Sequence, residues 1–152
     1  MTRTAAREIA ILLGFSAAAG GESAEETLER FFEAEHYASM AQENPLFAEM
    51  PDAQQMEYIR VLVTLIAERR AELDAYIEKY ARGWTVGRID RTAVAILRCA
   101  MSEILWMPDV PNAAAINEAV ELAKKYEDED VVSFINGILG SFVRGEIDTK
   151  ET

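Results

Sequence analysis

Residues 112–140 read NAAAINEAVELAKKYEDEDVVSFINGILG and are entered through Pro108-Asp109-Val110-Pro111. Proline breaks a helix and pushes the residue before it into extended backbone, so a helix is expected to start just after Pro111. Asn112 stands where an N-cap is needed and is expected to accept a first-turn amide. Ile116, Ala119, Val120 and Ala123 share one helical face, and Tyr126 is expected to close it. Glu121 lies four residues before Lys125, the favourable orientation for an ion pair worth about 0.2–0.5 kcal/mol. After the acidic corner Glu127-Asp128-Glu129-Asp130, the apolar spacing resumes at Phe134, Ile135, Ile138, Leu139 and Phe142. The spacing predicts helix, corner, helix.

The rest of the chain carries the same period. A first helix is expected from Thr4 to Ala19, with Ala5, Ile9, Leu12, Leu13 and Phe15 apolar and Gly20-Gly21 ending it. Arg3 and Arg7 oppose the macrodipole at its start. That fits either a frayed, solvated first turn, the reading placed first, or two cations presented to an anion. Ser23-Ala24-Glu25-Glu26 is a capping box, opening a helix to about Met40 on Leu28, Phe31 and Phe32. Asp52 with Gln55 opens a long one, apolar from Met56 to Tyr80 and ended by Gly83 and Gly87, with Arg69-Arg70 marking a place where it could break. Asp90 caps a further helix to Trp106 with Leu97, Ala100, Met101, Ile104 and Leu105 inward.

No window alternates as a strand would. The fold class is therefore all-α, with six helices, or seven if the long one breaks. Residues 1–145 are expected to form one helical domain of two packed subdomains, about 1–82 and 88–144. Residues 146–152 are expected to be a disordered tail.

The net charge is −12 over 152 residues, unevenly placed. Residues 21–52 hold nine carboxylates and one arginine, residues 53–126 balance, and residues 127–152 carry −5. Such a chain repels nucleic acid at long range, so a polyanion has to bind at a local basic island. The first helix, with Arg3 and Arg7, is one. No apolar run reaches membrane-span length, and Cys99 is the only cysteine, which excludes an internal disulfide. A cytoplasmic protein is expected.

Catalytic chemistry is sparse. His36 is the only histidine, so a multi-histidine metal site and a Ser-His pair elsewhere are both hard to build. No glycine-rich loop has the lysine or strand context of a phosphate cradle. Cys99, among Ala95, Leu97, Ala100 and Met101, reads as a buried, inert thiol. The acidic corner lacks calcium-loop spacing. No catalytic residue, metal or cofactor is expected, and the sequence points to binding.

The chain resembles the NusB family of transcription antitermination factors over nearly its whole length. The residues that carry the resemblance are Asp109-Val110-Pro111 with Ala115-Ile-Asn-Glu-Ala-Val-Glu-Leu-Ala-Lys124, and Phe134-Ile-Asn-Gly-Ile-Leu139. Ala95-Ile-Leu-Arg98 with Glu103-Ile-Leu105, Ala6-Arg-Glu8, and the junction from Tyr80 through Trp84 to Arg88 add to it. Residues 20–55 carry no distinctive match.

The resemblance implies a non-enzymatic factor that pairs with NusE, a small-ribosomal-subunit protein, and binds boxA RNA of nascent ribosomal transcripts. RNA polymerase is then an indirect partner. By position the implied RNA-facing set is Arg3, Arg7, Phe15, Asp130 and Phe134. Each also has a structural reading, since Phe15 and Phe134 fit the apolar stripes of their helices. The alternative is a helical protein-interaction module of the same fold with weak or lost RNA binding, or a homodimer burying that face. Departures from the family pattern are the sparse Arg3/Arg7 cluster, Glu127, Val131, Ser133 and Gly140. Fewer cations neutralise fewer phosphates, so weak binding by the lone protein is expected.

Overall fold

The structure, a computed structural model, describes residues 1–20 and 23–148, without the side chains of 15–20. Among the described residues there are eight α-helices and no strand, so the all-α expectation holds. They are α1 (Arg3–Gly20), α2 (Ala24–Phe31), α3 (Ala34–Met40), α4 (Ala53–Glu68), α5 (Arg70–Tyr80), α6 (Arg91–Trp106), α7 (Asn112–Tyr126) and α8 (Glu129–Phe142). Single turns at Pro45–Phe47, Val86–Arg88 and Val143–Ile147 complete the order. The chain divides into two compact units, Met1–Glu68 and Arg69–Thr152.

The count exceeds the expected six or seven because two predicted helices are each divided. The segment from Ser23 to Met40 breaks at Phe32-Glu33. There the Glu33 carboxylate accepts from the amides of Glu35 (3.1 Å) and His36 (2.9 Å), making it the cap of a new helix. Those two amides hold the Glu33 carboxyl below its ordinary range. The segment from Asp52 to Tyr80 breaks at Arg69, whose backbone (φ −107°, ψ 17°) has left the helical region. A single long helix is thus replaced by two of 16 and 11 residues.

In the first unit α1 packs mainly on α4, with α2 beside both. Ala6, Ile9, Ala10 and Leu13 of α1 meet Ile59, Leu62 and Val63 of α4 in a fully buried core. Residues 20–55, without a motif, are organised by aromatic edges. Phe31 lies 5.7 Å from Phe47, Tyr37 lies 5.6 Å from Phe47, and Phe32 stacks on Tyr37 at 5.5 Å. The Tyr37 hydroxyl donates to the Glu49 carbonyl (2.9 Å), tying the loop down. The predicted box at Asp52 is present: Gln55 N donates to Asp52 Oδ1 (2.8 Å) and Asp52 N to Gln55 Oε1 (3.0 Å). Ser23 likewise accepts from Glu26 N (3.1 Å).

In the second unit α6 is the central helix, against α5, α7 and α8. Ala93, Ile96, Leu97, Cys99, Ala100 and Met101 are buried along it. The Cys99 thiol donates to the buried Glu103 carboxyl (3.6 Å), as befits an unreactive core sulfur. Arg98 leaves the α6 core as a fork, giving Nε and Nη2 to the two Asp74 oxygens of α5 (2.8 and 2.9 Å). The bidentate geometry of such a fork adds direction as well as energy.

Three local expectations change. Pro111 (φ −60°, ψ 141°), not Asn112, is the N-cap of α7, because proline's fixed φ already suits the extended cap position. Tyr126 is 41% exposed; the buried face of α7 is Ala115, Ala119, Leu122 and Ala123. The ion pair found on α7 joins Lys124 Nζ to Glu121 Oε1 (2.9 Å), three residues apart. Glu146, where the sequence places the start of the tail, receives Lys79 Nζ (2.6 Å) and the Tyr80 hydroxyl. Residues 149–152 lie outside the described residues.

The Arg98–Asp74 fork is partly buried, so removing one partner strands a charge. Arg98→Ala and Asp74→Ala are each expected to lose about 1.5–3 kcal/mol in urea unfolding, and the double variant less than their sum. Additive losses would show that the two side chains do not act as a pair.

Candidate nucleic-acid interface

Helix α8 sets the geometry of the candidate interface. Asp128 caps it, its Oδ1 accepting from Val131 N (3.1 Å). Glu129 and Asp130 then fall in the first turn, where carboxylates suit the positive end of a helix. Ile135, Ile138, Leu139 and Phe142 turn inward and are buried. Asp130, Phe134, Gly137 and Ser141 recur at four, three and four residues, which places them along a second face of the same helix. Phe134 is half-buried, neither core nor free.

Facing it is the junction between α5 and α6. Helix α5 ends with Ala81 N donating to Ile77 O (2.8 Å), and Gly83 takes φ +85°, a left-handed turn that disfavours any side chain. Immediately after that turn, Trp84 stands 51% exposed. Its ring meets Phe134 edge-on, with centroids 6.4 Å apart and planes at 70°. Val86 N donates to Glu78 Oε2 (2.8 Å), fixing the far side of the turn.

Trp84 and Phe134 together form a ridge with a groove on either side. One groove, about 370 Å³, is lined by Trp84, Arg88, Ile89, Asp90, Asp130 and Phe134, among others. The other, about 720 Å³, runs between Tyr80–Trp84 and the Phe134–Ser141 face of α8 as far as Arg144 and Gly145.

Asp90 borders the first groove and caps α6, accepting from the amides of Thr92 and Ala93 (both 3.1 Å). It also pairs with Glu127, the C-cap of α7. The hydrogen bond from Glu127, followed by the two amides, holds Asp90 below its ordinary range. The same bond, with desolvation and the charges of Asp90 and Asp128, pushes Glu127 up to about 7. The pair therefore shares one proton across the acidic corner.

The first unit supplies a separate cationic cluster. Arg3 Cζ sits 4.4 Å above the Tyr58 ring and Arg7 Cζ 5.7 Å from its centroid. Thr2 Oγ1 accepts from Ala5 N (3.0 Å), so α1 begins capped rather than frayed. The cation–π contacts offset the unfavourable dipole at that end. Arg3 is exposed, whereas Arg7 is only 5% exposed. Arg7 is thus a packed side chain, and Arg3 the cation of that cluster that faces solvent. The Phe15 side chain lies outside the described residues. Asp130 and Phe134 are brought to one groove; Arg3 and Arg7 are brought to one ring in the other unit. Among the described residues no acid, histidine or cysteine cluster suits a metal ion, and no helix is long and apolar enough to cross a membrane.

A profile of the NusB family matches residues 4–144. The chain belongs to the NusB family. A transcription antitermination protein NusB from Clostridium botulinum is 32% identical over 143 residues, covering 94% of this chain and all of the relative. The NusB of Frankia casuarinae is 48% identical over 90 residues, 59% of this chain and 67% of the relative. Among solved structures, a T. maritima NusB superposes with a TM-score of 0.79 at 24% identity, covering 99% of this chain and 96% of that one. A chain from antitermination factors NusB and NusE in complex with double-stranded RNA gives 0.72 at 23% identity, covering 93% and 96%. In this NusB-family chain, reasoning from sequence missed Trp84 as an exposed ring, along with Arg82, Arg88 and Arg144 around it. The available signal was the Gly83-Trp84 step: a bulky ring directly after a turn glycine has little helix to hide in.

Glu127 holds a proton in the folded chain that the unfolded chain releases near pH 4.5. Its contribution to stability is full below that pH and is lost as pH rises through about 7. Asp90 runs the other way, losing its contribution as pH falls through its own lowered range. The melting temperature of the wild type is expected to fall between about pH 5 and pH 8 relative to that of Glu127→Gln, whose amide keeps the donor. Parallel pH profiles for the two proteins would show that no proton is shared.

Proposed function

We propose that this chain is a non-enzymatic transcription antitermination factor. It binds boxA-type RNA of nascent ribosomal transcripts together with a NusE-like small-ribosomal-subunit protein. Through that complex it engages elongating RNA polymerase, and it works in the cytoplasm. The observation that carries the reading is the half-buried Phe134 beside Asp130 on the outer face of α8, with its ring edge supported by Trp84. A ring held by the core on one side and open on the other suits an unstacked base. Asp130 supplies an acceptor for base amino groups or a ribose hydroxyl. Arg3, oriented on Tyr58, offers a planar cation to phosphate. Arg7 supports the cluster by packing on the same ring.

The relatives' shared name, transcription antitermination protein, supports the same reading. So does the neighbouring structure whose NusB and NusE are held with double-stranded RNA. The net charge of −12 sets the mode of action. With few exposed cations at the site, the lone protein binds RNA weakly, and the partner adds the positive charge that the complex needs.

Fluorescence anisotropy with boxA RNA tests this directly. The lone protein is expected to bind weakly at physiological salt and the pair much more tightly. Phe134→Ala is expected to weaken the pair by roughly ten-fold, in line with about 1–3 kcal/mol per stacked base. Nanomolar binding by the lone protein contradicts the charge argument. If Arg3→Glu and Phe134→Ala both leave RNA affinity unchanged while the partner still binds, the chain is a protein-interaction module instead.

A further inference from the structure

The larger groove beside the Phe134 ridge has a composition that the chain as a whole does not. The protein carries 27 carboxylates against 15 lysines and arginines. Yet the residues lining this groove include Arg82 and Arg144 and no carboxylate. Arg82 is exposed and makes no ion pair among the described residues. Arg144 is held back along α8, donating from Nη2 to Ser141 Oγ (3.2 Å), so its guanidinium lies beside the groove. Gly140 lies under the guanidinium: a Cβ there would stand 3.3 Å from Arg144 Nη1, close enough to shift it slightly. Glu146, two residues after Arg144, receives Lys79 and Tyr80.

The groove's shape also suits a chain rather than a small molecule. It is an open channel of about 720 Å³, walled by Tyr80–Trp84 on one side and α8 on the other. Gly137 is part of its lining, and a Cβ there would meet nothing within 4 Å. Ser133 and Ser141 add hydroxyls along the wall. At the far end a Cβ on Gly145 would stand 2.1 Å from the Tyr80 hydroxyl, so that end is kept narrow by backbone against ring. At the near end stands Trp84, 51% exposed, with its plane at 70° to Phe134. Two rings so angled cannot hold two bases in one continuous stack. They can receive two bases splayed apart, with the sugar–phosphate chain turning between them.

We propose that the RNA strand continues past Phe134 into this groove, stacking a second base on Trp84 and setting its phosphates against Arg82 and Arg144. The proposal rests on the RNA-binding reading above and extends it to a defined path. It commits to single-stranded RNA because the groove is a basic lining in an acidic chain, next to rings that a paired helix could not reach. Trp84 is then a binding residue, and Gly137 leaves the channel open.

The test uses the full chain with its NusE-like partner and fluorescently labelled single-stranded boxA RNA. Gly137→Glu puts bulk and negative charge into the channel where no atom opposes it, so the fold should survive. It is expected to lower RNA affinity by roughly ten-fold or more. Trp84→Ala is expected to lose about ten-fold and Trp84→Phe much less, because any aromatic face can stack. Arg82→Ala should flatten the salt dependence by about 0.7 in the log–log slope, one phosphate contact's worth on a single strand. In a Trp106→Phe background, Trp84 emission should be quenched on RNA addition. Wild-type affinity in Gly137→Glu and Trp84→Ala, with Phe134→Ala still impaired, overturns the path and leaves the RNA reading standing. Loss of partner co-purification in Gly137→Glu with RNA affinity intact also overturns it, making the groove a protein site. Unchanged affinity in Phe134→Ala and Arg3→Glu as well sinks the underlying RNA reading.

Discussion

The burial of α8 is the constraint on which the candidate interface depends. Ile135, Ile138, Leu139 and Phe142 must face α5, α6 and α7, and at 3.6 residues per turn that fixes every other position on the helix. Phe134 precedes Ile135 by one residue and so sits about 100° round the axis, at the margin of the core. The stripe Asp130, Phe134, Gly137 and Ser141 follows from the same rotation. Packing therefore orients the outer face, and the ring at position 134 is held rigid by its neighbours while one side stays open.

Two glycines complete the arrangement by removing side chains where they would obstruct. Gly83 takes the left-handed conformation that turns the chain from α5 toward α6, and Trp84 emerges from it against Phe134. Gly145 lets the Tyr80 hydroxyl approach the backbone after α8 and reach Glu146. The Tyr76 and Tyr80 rings both meet Phe142 edge-on, at 5.3 and 6.0 Å, so the same clamp secures the end of α8. A helix so anchored at its cap and its end is a rigid platform, which suits recognition better than a loop.

Helical period and capping boxes made most of the fold legible in the sequence. Ser23, Asp52 and Asp90 cap where the pattern put them, and the inward face of α8 is the predicted one apart from Phe134, which lies at its margin. The two breaks were harder. Glu33 caps α3 with a carboxylate that looks like any helix-surface glutamate, and Arg69 departs from helical backbone without glycine or proline. Asp130 and Phe134 stand out as candidates only through the family resemblance, because an aromatic on an apolar stripe reads as core. Arg7 shows the converse: its charge suggested solvent, but Tyr58 gives it a packed place. Trp84 and the arginines of the larger groove were illegible because their meaning lies in positions far apart in sequence. Only the packed helices bring them together.

Ultraviolet cross-linking of the protein–partner complex to boxA RNA, with the attached peptides mapped by mass spectrometry, tests the central claim most directly. Cross-links should fall on the peptides that carry Phe134 and Trp84, since the proposed path sets those rings against bases. A saturated complex whose cross-links avoid both peptides and map elsewhere on the chain would contradict the account.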